Sequence, residues 1–394
     1  VEAEAATKAA YAHQGPVYLR MGRLAVPVFH EEGFEFTIGK GEVMRDGTDV
    51  AIIANGLLVY EAVQAGEKLA EQGINAMIIH MSTVKPIHEE LVLEATRKGG
   101  RIITTDSEHS AVEKTVAALE DEGFEGVRIP TRQGVLDLDA YEKALNDRVF
   151  LVSLMTVNNE TGALYDVGTA FAMAKAKNPD VVTHTDAVQG YLKGKLLPKA
   201  LSADLVSLSG HKIHAPKGVG ALIVSPDALR RRDLAPVLLG GGQEGGFRSG
   251  TENLIGIAGF AAAAEEGFSA LGARVERMRE LRDYAEEKLL ALSLAVNRPT
   301  GARAPHILNV RLPDIRSETM LHELSRSGIC ISSGSACSSH AKAPSRALTA
   351  FGLSPEEITC SIRISLSHNN PKEEIDLLAD AMSDALGRLV RIHH

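Results

Sequence analysis

Lys212 closes the run Ser209-Gly210-His211-Lys212, which follows directly on the apolar stretch Leu205-Val206-Ser207-Leu208. A lysine amine held at the end of a buried strand is a nucleophile toward a carbonyl carbon. Two other polar runs follow apolar stretches in the same way: Val157-Asn158-Asn159-Glu160, and His184-Thr185-Asp186-Ala187-Val188-Gln189. In an open parallel sheet these three runs would share the edge where the strands end, which is where such sheets bind ligands. Together they offer an amine, a carboxylate and neutral amide donors. A pyridoxal cofactor needs that set: a lysine for its aldehyde, a carboxylate to keep its ring nitrogen protonated, and donors for its phenolic oxygen. Ser209 and His211, on either side of Gly210, are placed to meet a phosphate. Taken singly, a lysine in a glycine-containing loop or an aspartate at a strand end has an ordinary structural use as a turn or cap; only the joint pattern discriminates.

Thiol chemistry is the second theme. The chain has three cysteines, Cys330, Cys337 and Cys360, which cannot all pair and lack the spacing of a zinc site. Cys337 stands in Ser332-Ser333-Gly334-Ser335-Ala336-Cys337-Ser338-Ser339-His340, a run of small polar residues that predicts an accessible loop thiol. Gly328-Ile329-Cys330-Ile331 is apolar and predicts a buried strand thiol at Cys330, and Cys360 leads into another strand.

The elements that must position these residues alternate. Val17-Tyr18-Leu19-Arg20, Val50 to Ala54, Ala76 to His80 and Arg101 to Thr105 read as strands, with helices over 60–72 and 89–98, giving a βαβαβ pattern. Beyond them, helices are predicted at 111–121, 138–144 and 167–177, and strands at 127–129, 149–155, 181–184, 205–208 and 220–224. One or two long helices then span 255–292. The C-terminal part mixes strands at 307–310 and 361–366 with helices at 319–325 and 372–390. Gly240-Gly241-Gly242 with Gly245-Gly246 marks a loop. The expected fold class is α/β: a three-layer αβα large domain with a mainly parallel sheet, plus a smaller α+β C-terminal domain. The expected boundaries are 1–100, 101–260 and 261–394.

Composition narrows the function. The 394 residues are 44% hydrophobic and 24% charged, and the net charge is −9. That balance suits a globular chain with a large buried sheet and argues against a binder of nucleic-acid phosphates. No run of apolar residues is long enough to span a bilayer, and the first residues lack the features of a signal peptide, so a cytoplasmic location is expected. Arg230-Arg231-Arg232 reads as a solvated helix end, and the terminal His393-His394 carries no argument.

From about Arg101 to Arg391 the order of motifs resembles the cysteine desulfurases, pyridoxal-phosphate enzymes of the class V aminotransferase kind. The motifs are Glu108-His109, Val157-Asn158-Asn159-Glu160, Asp186 with Gln189, Ser209-Gly210-His211-Lys212, Arg248-Ser249-Gly250-Thr251, Ser333-Gly334-Ser335-Ala336-Cys337 and Ser361-Ile362-Arg363. The resemblance implies a PLP fold type I large domain and a role for each residue. Lys212 would carry the cofactor, and His109 would lie over its ring and assist proton transfer. Asn159 and Gln189 would reach the phenolic oxygen, and Asp186 the ring nitrogen. Ser209, His211 and a Thr251 from the other subunit of a homodimer would hold the phosphate. Arg363, with Asn159, would grip the substrate carboxylate. Cys337 would take the sulfur of L-cysteine as a persulfide, leaving alanine, and pass it to a sulfur acceptor or iron–sulfur scaffold protein. Other readings stay open here: a selenocysteine lyase or another β-eliminating pyridoxal enzyme, or an inactive hybrid scaffold or transketolase C-terminal fragment.

Residues 1–100 depart from that family. They resemble the C-terminal part of transketolase, through Gly15 to Arg23, Ile52-Ile53-Ala54-Asn55-Gly56 and Thr83-Val84-Lys85-Pro86. The chain therefore reads as a hybrid joined within the strand at Arg101. It has no counterpart of the glycine-rich helix N-terminus that cups the phosphate in the family, which implies a weaker hold on the cofactor.

Overall fold

The computed structural model describes residues 1–22, 26–97, 100–334 and 344–389. The chain divides into two compact units, Val1–Gly100 with Ala118–Glu125, and Arg101–Ala117 with Gly126–His394.

In the first unit, α1 (Glu2–Ala12) precedes β1 (Glu42–Arg45), β2 (Val50–Ala54), α2 (Leu58–Glu71), β3 (Ala76–His80) and α3 (Glu89–Arg97). The apolar run Ala76-Met77-Ile78-Ile79 makes β3 the middle strand, buried along its whole length, parallel to β2 and antiparallel to β1. Val59 and Ala62 of α2 pack with Ala76 and Ile78 on one face, while Leu91 of α3 joins Met77 and Ile79 on the other. Two expectations fail here. Val17-Tyr18-Leu19-Arg20 is exposed and forms no strand; β1, unmarked in the sequence, takes the sheet edge instead. β3 lies between β1 and β2, and Arg101 to Thr105 belongs to another sheet.

That segment is β4 (Arg101–Thr105), which enters a second sheet beside β6. The following elements are α4 (Ser110–Asp121), β5 (Glu125–Ile129), α5 (Leu138–Ala144), β6 (Val149–Ser153), α6 (Val167–Lys177), β7 (Val182–Asp186), β8 (Leu205–Ser209) and β9 (Gly220–Val224). The six strands run in the order β5-β4-β6-β7-β8-β9. From β4 through β8 the pairs are parallel, and β9 returns antiparallel against β8. Asp137 and Asp166 cap α5 and α6 by accepting from Ala140 N and Thr169 N, which satisfies donors a helix start leaves open. Tyr141 of α5 and Phe171 of α6 are wholly buried against Ile103, Val152 and Val206 of the sheet.

The chain continues through α7 (Pro226–Arg231), α8 (Leu254–Ser269) and α9 (Leu271–Ala291), the last two meeting at a bend of 80°. Among the described residues no single helix is long and apolar enough to cross a membrane. Arg231 at the end of α7 is not simply solvated: it pairs with Asp233 at 2.6 Å and Asp204 at 3.4 Å. Next come β10 (Ala295–Val296), β11 (Ile307–Arg311), α10 (Ser317–Arg326), α11 (Arg346–Phe351), α12 (Pro355–Thr359), β12 (Ser361–Ser365) and α13 (Lys372–Arg388). The antiparallel sheet β10-β11-β12 shares a second core with α9, α10 and α13, built on Leu281, Leu289, Leu308, Ile362, Leu324 and Met382.

Candidate active site

The parallel strands β6, β7 and β8 all end on one edge of the large sheet, and the site is built from the loop or turn that leaves each of them. After β6 the chain enters a loop organised by Asn158. Its Oδ1 accepts from Glu160 N (3.0 Å), Thr161 N (2.9 Å) and Thr161 Oγ1 (3.1 Å), and its Nδ2 donates to Ser107 O at 3.0 Å. Asn158 is therefore spent on the loop, and Asn159 follows it, buried.

After β7, Asp186 Oδ1 accepts from Val188 N at 2.9 Å. The chain then turns through Gly190, where a side chain would run into Thr156 Oγ1. After β8, Gly210 leads into the turn that carries Lys212. A Cβ at Gly210 would stand 2.9 Å from a Val219 methyl, so only glycine lets the turn close on β9. Ser209 Oγ and His211 Nδ1 lie 2.7 Å apart. Burial first, then the charges of Lys212 and Lys217, hold the His211 imidazole below the usual histidine range.

The C-terminal core reaches the same edge. Arg363 in β12 donates from Nη1 to Asn159 O at 2.9 Å. His306, just before β11, lies 3.2 Å from Gln189 Oε1 through Nε2. Burial first, then Lys193, Lys212 and Arg363, push His306 down to about 3. It is therefore neutral and can donate from Nε2, which leaves the Gln189 NH2 group free to donate elsewhere. No sequence pattern marked His306; its role comes from the fold bringing β11 against Gln189.

Glu108 belongs to one of the motifs, yet the sequence assigns it no role. It is buried, with Oε1 accepting from Met155 N at 2.8 Å and Thr105 Oγ1 at 2.9 Å, while Oε2 has no hydrogen-bond partner among the described residues. Burial, reinforced by Asp186, pushes its carboxyl up to about 8. At neutral pH it is protonated. His109, next in sequence, accepts from Ala111 N through Nδ1 at 3.2 Å at the start of α4.

Cys337 lies outside the described residues. Those flanking it are placed. Ser332 and Arg363 exchange backbone hydrogen bonds of 3.1 and 2.7 Å, and a side chain at Gly334 would meet Glu160 Oε2 at 3.5 Å. On the far side, Ser345 Oγ donates to the same Glu160 Oε2 at 2.7 Å. The expectation for Cys330 is overturned: it is exposed and in no strand. After Gly328, Ile329 and Ile331 pack on the C-terminal core while Cys330 between them is exposed. Cys360 is buried, which pushes its thiol up. Thr251 is exposed on the loop before α8.

The sequence profile of the family described as Aminotransferase class-V matches residues 87–378. Over 291 residues the chain is 38% identical to a cysteine desulfurase of Trichormus azollae, covering 73% of this chain and 71% of that one. The chain belongs to the class V aminotransferase family, among its cysteine desulfurases. A second relative is the cysteine desulfurase IscS of Salmonella paratyphi B, 37% identical over 295 residues, with 74% and 72% covered. Among solved structures, a NifS-like protein superposes with a TM-score of 0.69 at 33% identity, over 76% of this chain and 80% of that one. Residues 1–86 lie outside the matched region.

Cysteine desulfurases of this family depend on pyridoxal phosphate, and the donor set fits that group. Asp186 would offer a carboxylate to the ring nitrogen, Gln189 an amide to the phenolic oxygen, and the hydrogen-bonded pair Ser209 and His211 would meet the phosphate, with Lys212 following on the same turn.

Proposed function

We propose that this cysteine desulfurase works with Lys212 as the cofactor lysine and Cys337 as the thiol that takes the sulfur of L-cysteine. The observation that carries the assignment is the meeting at Asn159 and Glu160. Arg363 reaches Asn159 O from the C-terminal core, and the described residues on both sides of Cys337, Gly334 and Ser345, adjoin Glu160. A site whose substrate grip and thiol-bearing segment share one anchor suits transfer from a bound amino acid to that thiol.

Bound pyridoxal phosphate would supply an electron sink that weakens the Cβ–S bond of the substrate. Arg363 binds the α-carboxylate through its planar fork, with Asn159 beside it. Lys212 takes the Cα proton. The Cys337 thiolate attacks the substrate sulfur: an S–S bond forms, the Cβ–S bond breaks, and its electron pair stays with the three-carbon fragment, which takes up protons and leaves as alanine. The persulfide on Cys337 is the product to be handed to an acceptor protein, either an iron–sulfur scaffold or another sulfur carrier, in the cytoplasm.

The active form is a homodimer in this proposal. Val237, Leu239, Leu254 and Ile255 are 90%, 81%, 73% and 85% exposed on either side of the loop that carries Thr251. Large apolar side chains clustered in the open mark an interface, and a second copy would cover them while bringing its Thr251 to the phosphate.

The test is direct. Protein incubated with pyridoxal phosphate and reduced with borohydride should carry the label on Lys212, and Lys212→Ala should carry none. Unreduced protein loaded with pyridoxal phosphate and given L-cysteine should release alanine, and selenocysteine should not be the better substrate. A label on another lysine, or release from selenocysteine alone, would sink the assignment.

A further inference from the structure

The first unit carries a cluster that desulfurase chemistry does not use. His80 ends β3 and Glu42 begins β1, and the two are cross-strand partners in the antiparallel pair, so their side chains rise from the same face of the sheet. Glu2, the first residue of α1, and His30, from the segment before β1, come to that same point. Glu2 Oε1 lies 3.4 Å from His80 Nε2, and Glu2 Oε2 lies 3.8 Å from His30 Nε2. Glu42 Oε2 is 3.7 Å from the same His30 nitrogen. One ligand atom each from Glu2, His30 and His80 falls within 4.8 Å of the others.

Two features set this cluster apart from a chance meeting of charges. The side chains of His30 and His80 are each only 6% exposed, and the ring of His30 stacks on Phe34 with centroids 3.8 Å apart. Despite that burial, His30 Nε2 has no hydrogen-bond partner among the described residues, which an imidazole nitrogen so enclosed cannot sustain cheaply. Moreover, the spacings of 3.7 and 3.8 Å around that nitrogen are too long for hydrogen bonds. They are close to the separation of neighbouring ligands around a tetrahedral zinc ion, roughly 3.4 Å when each bond is about 2.1 Å.

We propose that Glu2, His30 and His80 form a site for one divalent cation of the zinc class, with Glu42 at its rim. Imidazole nitrogen with carboxylate oxygen suits Zn2+, and Co2+ or Ni2+ after it, rather than Ca2+ or Mg2+. The ion ties α1 and the segment around His30 to the sheet through its strand ends. It is therefore a staple of the first unit, and its stabilisation comes from binding the folded form alone.

The test uses the full chain, desalted of free cofactor and titrated with Zn2+ against a chromophoric chelator. A parallel titration with Co2+ is read by its visible absorption. One equivalent should bind, the cobalt spectrum should show tetrahedral nitrogen and oxygen donors without a thiolate band, and Zn2+ should raise the melting temperature. His30→Gln or His80→Gln should weaken binding more than about a hundredfold, because losing even an outer partner of a ligand costs about ten- to a hundredfold. Should either histidine variant fail to fold, Glu2→Gln, on a partly exposed side chain, asks the same question and should lose both the affinity and the thermal shift. Absence of stoichiometric binding overturns the proposal. So does unchanged affinity in these variants with loss on substituting Cys337 or the terminal His393 and His394.

Discussion

Glu108 shows how one buried carboxyl shapes the behaviour of the molecule with pH. Its unfolded value is near 4.5 and its folded value about 8, raised first by burial. Below about pH 4.5 both states hold the proton. Between 4.5 and 8 the unfolded chain has lost it and the folded chain keeps it, so stability falls as pH rises across this window and is flat above it. Glu108→Gln should remove that slope. Comparing about pH 5 with pH 8 in urea unfolding, the variant should gain about 2 to 4 kcal/mol on the wild type, given about 1.4 kcal/mol per unit; equal slopes would show that Glu108 ionises in the fold. His306 acts in the other sense, because its value falls from 6.5 to about 3, so stability is lost as pH drops through that range. The thiols give a second residue-scale prediction. Cys330 is exposed, so accessibility does not by itself single out Cys337. Mass spectrometry after exposure to L-cysteine should find the extra sulfur on Cys337, and Cys330→Ala should leave alanine release unchanged. Sulfur confined to Cys330 would reverse the assignment. The sequence picked out Lys212, Asp186 and Gln189 because each follows an apolar strand, but it could not place Cys330, whose outward direction depends on Ile329 and Ile331 turning into the core.

At the scale of elements, the loop after β6 does the joining. Asn158 satisfies three donors from Glu160 and Thr161 and donates to Ser107 O, which fixes the backbone that Arg363 grips at Asn159. Asn158→Ala would leave buried groups without partners, at about 1 to 3 kcal/mol each before relaxation. A loss of about 2 to 4 kcal/mol is expected in urea unfolding, with a raised KM for L-cysteine as Asn159 and Arg363 lose register. A variant as stable as the wild type would mean that the loop is held by other contacts. The Asn-Asn-Glu run was visible in the sequence as a polar loop, with Asn159 given its role by the family resemblance; that Asn158 builds the loop was not visible, because its partners are set by how the backbone turns.

For the whole molecule, the proposed homodimer is testable at the exposed apolar surface around the Thr251 loop. Ile255 is 85% exposed in the single chain, so Ile255→Glu should cost the fold little. In sedimentation it should convert a dimer to a monomer, and cofactor retention should fall with it. A variant that stays dimeric, or a wild type that is monomeric and active, would remove the second copy from the site.

By itself the sequence determined what depends on local order: alternating strands and helices, which residues come after each strand, and an ordered set of motifs from Glu108 to Arg363 that marks a cysteine desulfurase. Strand ends are local because a buried strand needs a continuous apolar run, and a polar residue after it marks where the chain leaves the core. Only the tertiary structure decided what depends on which strand lies beside which. Arg101 to Thr105 follows the strands of the first unit in sequence, yet it pairs with β6 in the second sheet. His306 gained its place beside Gln189, and Glu2, His30 and His80 came together, through contacts between residues far apart in the chain. Such contacts leave no periodicity in a sequence, since they are fixed by packing and not by spacing.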